Sequence, residues 1–158
     1  MSKKMILILA ISIVGLVAAV VAAYVVFSKG ENENLPWQKY RIGNAEINVQ
    51  IADTIKTRAD GLSGREQLAD NEGMLFIFPY SGKHGFWMKD MNFNLDIIWI
   101  KDDKIIAISE NVQKPKTKNW SELDTVYPPE DVNIVLEVNS GFSGANNLKI
   151  GDSAELIK

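Results

Sequence analysis

The chain opens on an unbroken apolar run, Met5 to Phe27, with no charge and only Ser12 and Gly15 as non-apolar members. At about 1.5 Å per residue a helix of this run extends roughly 35 Å, enough to cross a hydrocarbon core of about 30 Å. The pattern predicts a single membrane-spanning anchor over residues 5–27, after a cytoplasmic stub of residues 1–4. Lys3 and Lys4 precede the run and Glu31 and Glu33 follow it, so the positive-inside bias places the rest of the chain outside the membrane. A cleaved signal peptide is the alternative, given the small residues at Ala18-Ala19 and Ala22-Ala23, although a signal core usually ends sooner.

Past this run the pattern changes. Residues 28–36, SKGENENLP, read as a polar linker, and residues 37–158 as one extracytoplasmic β domain. Trp37–Ile42 and Ala45–Ala52 read as strands turning at Gly43-Asn44. In the second, Ile47, Val49 and Ile51 alternate with Glu46, Asn48 and Gln50, which predicts one buried and one wet face. Asp53 or Thr54 caps a short helix reaching about Leu62, with Ile55, Ala59 and Leu62 on its apolar side. Ser63 and Glu66 have capping-box spacing for a second helical turn.

Further strands are expected at Gly73–Phe78, ended by Pro79, at Phe86–Lys89, at Leu95–Ile100, at Lys104–Asn111 and at Asn133–Asn139. Gln113–Asp131 is a long polar stretch with Pro115, Pro128 and Pro129, and long loops of this kind are often functional. Ser140 begins a single helical turn through Phe142, and Leu148–Ile157 closes the domain. The sum is a mainly β fold, a compact β-sandwich or barrel with one or two short helices.

Composition narrows the chemistry. No cysteine is present, which excludes disulfides, thiol catalysis and thiolate metal sites. His84 is the single histidine, so a multi-histidine metal site is excluded as well. With 17 basic and 20 acidic residues and no basic stripe, a nucleic-acid partner has no electrostatic support. No phosphate loop, nucleophile elbow or paired-histidine helix occurs, and no cofactor is called for.

Several strings combine in order along the domain: IADT, RADGLSGRE, GMLFIF, FWMKD, LDIIWI, VLEVNSGF and KIGD. Together they resemble the uncharacterised family filed as domain of unknown function 192. The resemblance implies a compact, mostly β domain, often exported or membrane-anchored, and supplies no activity. This chain departs from the family pattern at Ser63, where Met is common, at Asp90-Met91 in place of Asn-Thr, and at Asn94 in place of Pro.

The polar residues inside apolar strings are the candidates for a site. Asp96 shares a strand side with Ile98 and Ile100, and Glu137 shares one with Val135. Carboxylates so placed need partners, and Arg58 and Arg65, seven apart, supply them. One reading is an internal ion-pair network tying helix to sheet. The other is a ligand cleft with Trp87 as a stacking wall and Arg58, Arg65, Lys89, Asp96 and Glu137 as polar groups. That suits a saccharide, peptide or protein ligand of the cell envelope, bound without catalysis. An Asp96–Glu137 pair would instead serve a hydrolase of envelope polysaccharide. His84, Met88 and Met91, beside Trp87, offer soft donors for Cu(I), though methionines in apolar strands usually fill a core.

Overall fold

The structure is a computed structural model that describes residues 34–117 and 119–157. The expected stub, membrane anchor and most of the linker lie outside the described residues. Among the described residues no helix is long and apolar enough to cross a membrane.

Among the described residues, nine strands and two short α-helices follow in order: β1 (Trp37–Ile42), β2 (Ala45–Ala52), α1 (Ile55–Asp60), β3 (Glu72–Gly82), β4 (Phe86–Trp87), β5 (Leu95–Lys101), β6 (Lys104–Val112), β7 (Thr125–Val126), β8 (Val132–Asn139), α2 (Phe142–Ala145) and β9 (Ala154–Leu156). Seven strands form one sheet in the order β6-β5-β8-β3-β2-β1-β9, while β4 and β7 pair separately. Every pairing is antiparallel except β2 with β3, which α1 joins as a crossover. The hairpin turns are legible in sequence. Gly43 has φ 54° between β1 and β2, and Asp102 and Asp103 have φ 49° and 55° between β5 and β6. Short polar side chains tolerate this left-handed backbone better than bulky ones do.

The sheet curls into a half-barrel. Its two edges meet where the β6–β9 side closes: Gly151 N donates to Ile105 O (2.8 Å), Ile105 N to Asp152 O (3.0 Å) and Ala154 N to Asp103 O (3.0 Å). Ala154 of one edge and Ile105 of the other belong to one buried cluster with Tyr40, Ile47, Leu75, Ile98 and Leu136. This cluster fills the interior of the curl. Of the sandwich and barrel alternatives, the barrel-like one is found, because a single sheet wraps on itself rather than two sheets stacking.

The opposite face of the same sheet is also buried. Met74, Phe76, Ile97, Trp99 and Val135 pack there under Leu62, Leu68, Phe86, Met88 and Met91. Two buried faces explain why β5 is apolar at almost every position. A bulge reconciles β6 with this demand: Ile105 opposes Ile100 while Ala107 opposes Trp99, so Ile106 is the extra residue.

Some local expectations shift. β3 runs through Pro79 to Gly82, with its register to β8 broken between Ile77 and Gly82. The strand at Phe86–Lys89 is only Phe86–Trp87, and its partner β7 comes from within the long polar stretch. α1 is capped by Thr54, whose hydroxyl accepts from Thr57 N (3.0 Å). The helix stops at Asp60 before Gly61 at φ 50°. Ile55 is therefore not a core residue but 84% exposed, while Leu62, in the turn beyond, is buried. Residues 63–66 form the end of a turn and a bend rather than a second helix.

Candidate functional site

The cleft worth attention lies on the α1 side of the sheet. Register fixes what stands at its floor. Gln50 pairs with Met74, Met74 with Glu137, and Glu137 with Ile97, a row across β2, β3, β8 and β5. Met74 and Ile97 belong to the cluster on this face, so Glu137 points to it too. Two residues along, Phe76 faces the same way, and Phe78 after it. Phe86 of β4 meets Phe76 edge-on, with ring centroids 4.9 Å apart, and Trp99 edge-on at 5.6 Å.

The result is a cleft of roughly 340 Å³, with Glu137 in its floor, Phe76, Phe78, Phe86 and Trp87 on its walls, and Arg58 beside them. The segment after α1 closes one side and is pinned in place. Ser63 Oγ donates to Lys89 O (2.8 Å), Gly64 N to Asp90 O (2.9 Å) and Asn92 Nδ2 to Arg65 O (2.8 Å). Gly85 stands at the edge, where a Cβ would lie 2.7 Å from Thr125 Cγ2 and from Tyr127 Cε1. Only glycine lets β7 approach this closely.

Glu137 is 5% exposed, and among the described residues nothing hydrogen-bonds its carboxyl. Burial pushes that carboxyl up to about 8, so it is mainly protonated at neutral pH and has a proton to offer. Arg58 is held differently. Its Nη1 donates to Ile77 O (2.8 Å) and to Asp53 O, and its guanidinium lies over the Phe78 ring, 5.2 Å from the centroid. Trp87 is 47% exposed and forms an open wall.

The other sequence candidates go elsewhere. Asp96 pairs with Val138, which faces the interior of the curl, so the sheet places Asp96 and Glu137 on opposite faces. Their sequence-based pairing as two hydrolytic carboxylates is corrected by this register. Asp96 is fully buried and accepts from Asn111 N (2.9 Å), Gly141 N (3.2 Å) and Ser143 N (3.0 Å). It ties β6 and the start of α2 to β5, which is scaffolding. Arg65 is buried and donates from Nη2 to Gln50 Oε1 (2.6 Å), rather than to either carboxylate. Gln50 itself, expected on a wet face, is fully buried and donates to Leu35 O (2.6 Å). The polar network tying helix side to sheet therefore exists, but it runs through Gln50 and backbone carbonyls. Lys89 pairs with Asp90 (3.5 Å) and borders a separate, more polar depression.

His84 stacks on Phe78, ring centroids 3.6 Å apart, with Nε2 3.1 Å from Tyr80 O. Met88 and Met91 are buried in the core cluster. Among the described residues no group of three His, Asp or Glu side chains is arranged to hold a metal ion. Of the aromatic walls, the sequence named Trp87 and missed Phe76, Phe78 and Phe86. The signal was available in Met74, Phe76 and Phe78 alternating along one strand face, but nothing local says that a polar Glu137 will stand among them.

Residues 38–156 match the family model described as Uncharacterized ACR, domain of unknown function 192. The chain belongs to this family. The resemblance drawn from IADT, GMLFIF, FWMKD and VLEVNSGF is thereby confirmed over almost the whole β domain. Two solved structures share the fold. A protein from Sinorhizobium meliloti 1021, provisionally named a transcription regulator, is 29% identical, with a TM-score of 0.69 over 77% of this chain and 95% of that one. A protein of unknown function from Novosphingobium aromaticivorans DSM 12444 is 25% identical, with a TM-score of 0.70 over 79% of this chain and 89% of the other. No curated protein matches the chain.

Proposed function

We propose that this domain is a non-catalytic binding module that holds a small organic molecule in the Glu137 cleft. The observation carrying the proposal is a buried carboxyl that has no hydrogen-bond partner among the described residues, set in the floor of an aromatic cleft. Leaving a buried polar group unpaired costs on the order of 1–3 kcal/mol, a cost that a ligand able to hydrogen-bond it offsets. The cleft volume lies near the lower end of the range of about 300–1,000 Å³ for small-molecule sites. It suits one ring or a short chain better than a polymer. Of the residues first expected at a ligand site, Arg58, Trp87 and Glu137 support this reading, whereas Arg65, Lys89 and Asp96 border or brace it.

The sequence pattern of residues 5–27 supports a module carried on the outer side of a membrane, where an envelope-derived ligand would be met. Protease added to intact cells should then remove the domain. Protection in intact cells with loss after permeabilisation would refute that topology.

A hydrolase is the second reading, favoured by one observation: a carboxyl raised to about 8 is suited to general acid work. A glycosidase also needs a second carboxylate, and the other one lining the cleft, Asp60, is paired with Lys56 at 2.8 Å. Glu137→Gln separates the readings. A binding module keeps ligand-induced shifts in the amide spectrum around Phe76 and Phe86 when Gln supplies the donor, whereas a hydrolase loses product release from peptidoglycan or glycans. Release that depends on Glu137 would overturn the non-catalytic proposal.

A further inference from the structure

We infer that the cleft takes a small organic monocarboxylate, its carboxylate against Arg58, its apolar body on the Phe76, Phe78, Phe86 and Trp87 walls, and Glu137 donating a hydrogen bond to it. The inference rests on the ligand-binding reading of the cleft and adds the sign of the ligand's charge.

Three features favour an anion over an amine. Arg58 is set in advance: Nη1 is engaged by Asp53 O and Ile77 O and the plane lies over Phe78. Among the described residues its Nε and Nη2 make no hydrogen bond, which leaves an edge of the guanidinium for a carboxylate. Asp60, the other acid lining the cleft, is neutralised by Lys56 one helical turn away. Glu137, being mainly protonated at neutral pH, adds a donor and little negative charge. The cleft therefore offers one uncompensated cation and one acidic proton to whatever enters. An amine would face Arg58 without a ready counter-charge.

The same geometry sets a pH dependence. Among the described residues, the charged groups lining the cleft with Glu137 are Arg58 and Asp60, with Lys56 on Asp60. β3 and β5 put only Met74 and Ile97 beside it. His84 stacks on Phe78, and Arg65 is held on Gln50 in the same sheet row. Ionised Glu137 repels a carboxylate and has no proton to donate. Binding should weaken roughly tenfold between about pH 7 and about pH 9, an interval above the ordinary histidine range.

Three probes with one ring test this on the whole chain by calorimetry or amide shifts: phenylacetate, 2-phenylethylamine and 2-phenylethanol. Phenylacetate is expected to bind tightest, by roughly tenfold or more over the other two. Its affinity is expected to fall with pH in the unaltered protein and to stay level in Glu137→Gln. Arg58→Lys, which keeps the charge but loses the fork, should weaken phenylacetate by a larger factor than 2-phenylethanol. Tighter binding of the amine, or equal binding of all three, overturns the carboxylate assignment and leaves the cleft as a binding site. No saturable binding of any probe at millimolar concentration, in a protein whose thermal transition is intact, sinks both.

Discussion

Replacing Glu137 by Gln should make the protein more stable at neutral pH, although a native residue is lost. The folded carboxyl is raised from an ordinary 4.5 to about 8 by burial. Below about pH 4.5 it is protonated in both folded and unfolded chains and does not affect stability. Between about 4.5 and 8 the unfolded chain ionises while the folded one keeps its proton, so each pH unit removes about 1.4 kcal/mol of stability. Above about pH 8 both states are ionised and the loss levels off. At pH 7 the accumulated cost is about 3 kcal/mol, a large part of a typical total of about 5–15 kcal/mol. Gln has nearly the same shape and never ionises. The variant's advantage should be near zero around pH 4.5, about 3 kcal/mol at pH 7 and about 5 kcal/mol at pH 9. Urea denaturation of both proteins at several pH values measures it. With slopes of about 1–3 kcal/mol per molar, the midpoint should move by roughly 1–3 M at pH 7. Parallel midpoints from pH 5 to 9 would show that the carboxyl is solvated in the folded protein. The claim of an unpaired acid in the cleft floor would then fail.

Two further expectations concern the scaffold. Asp96→Ala strands the N–H groups of Asn111, Gly141 and Ser143 beside the core and should cost about 3 kcal/mol or more, read as a lower thermal midpoint. Unchanged stability with lost ligand binding would return Asp96 to the site. Tyr40→Phe removes a buried hydroxyl that has no hydrogen-bond partner, so stability should stay level or rise by about 1 kcal/mol, and a clear loss in denaturant titration would reveal a bond the structure does not contain.

Strand content, hairpin turns and family were legible in the chain because each is set locally. Gly43-Asn44 and Asp102-Asp103 specify their turns through backbone preference alone. The sides taken by Asp96 with Ile98 and by Glu137 with Val135 followed from the two-residue period of a strand. What the period could not say is which side of one strand faces which side of another. That depends on register between β5 and β8, which a single residue of slip would reverse. Register alone separated Asp96 from Glu137.

Gln50 shows the same limit. Its alternation with Ile47 and Val49 marked it as wet, but the segment carrying Arg65 covers that face and turns Gln50 into an internal hydrogen-bond hub. Ile55 erred in the other direction, because α1 ends at Gly61 before its apolar stripe reaches the sheet. The sequence by itself determined the elements, the turns and which residues are chemically able to act. The tertiary structure alone decided that Arg58, Trp87 and Glu137 meet around an aromatic cleft, because contacts between distant strands depend on how the sheet curls and what is laid across it.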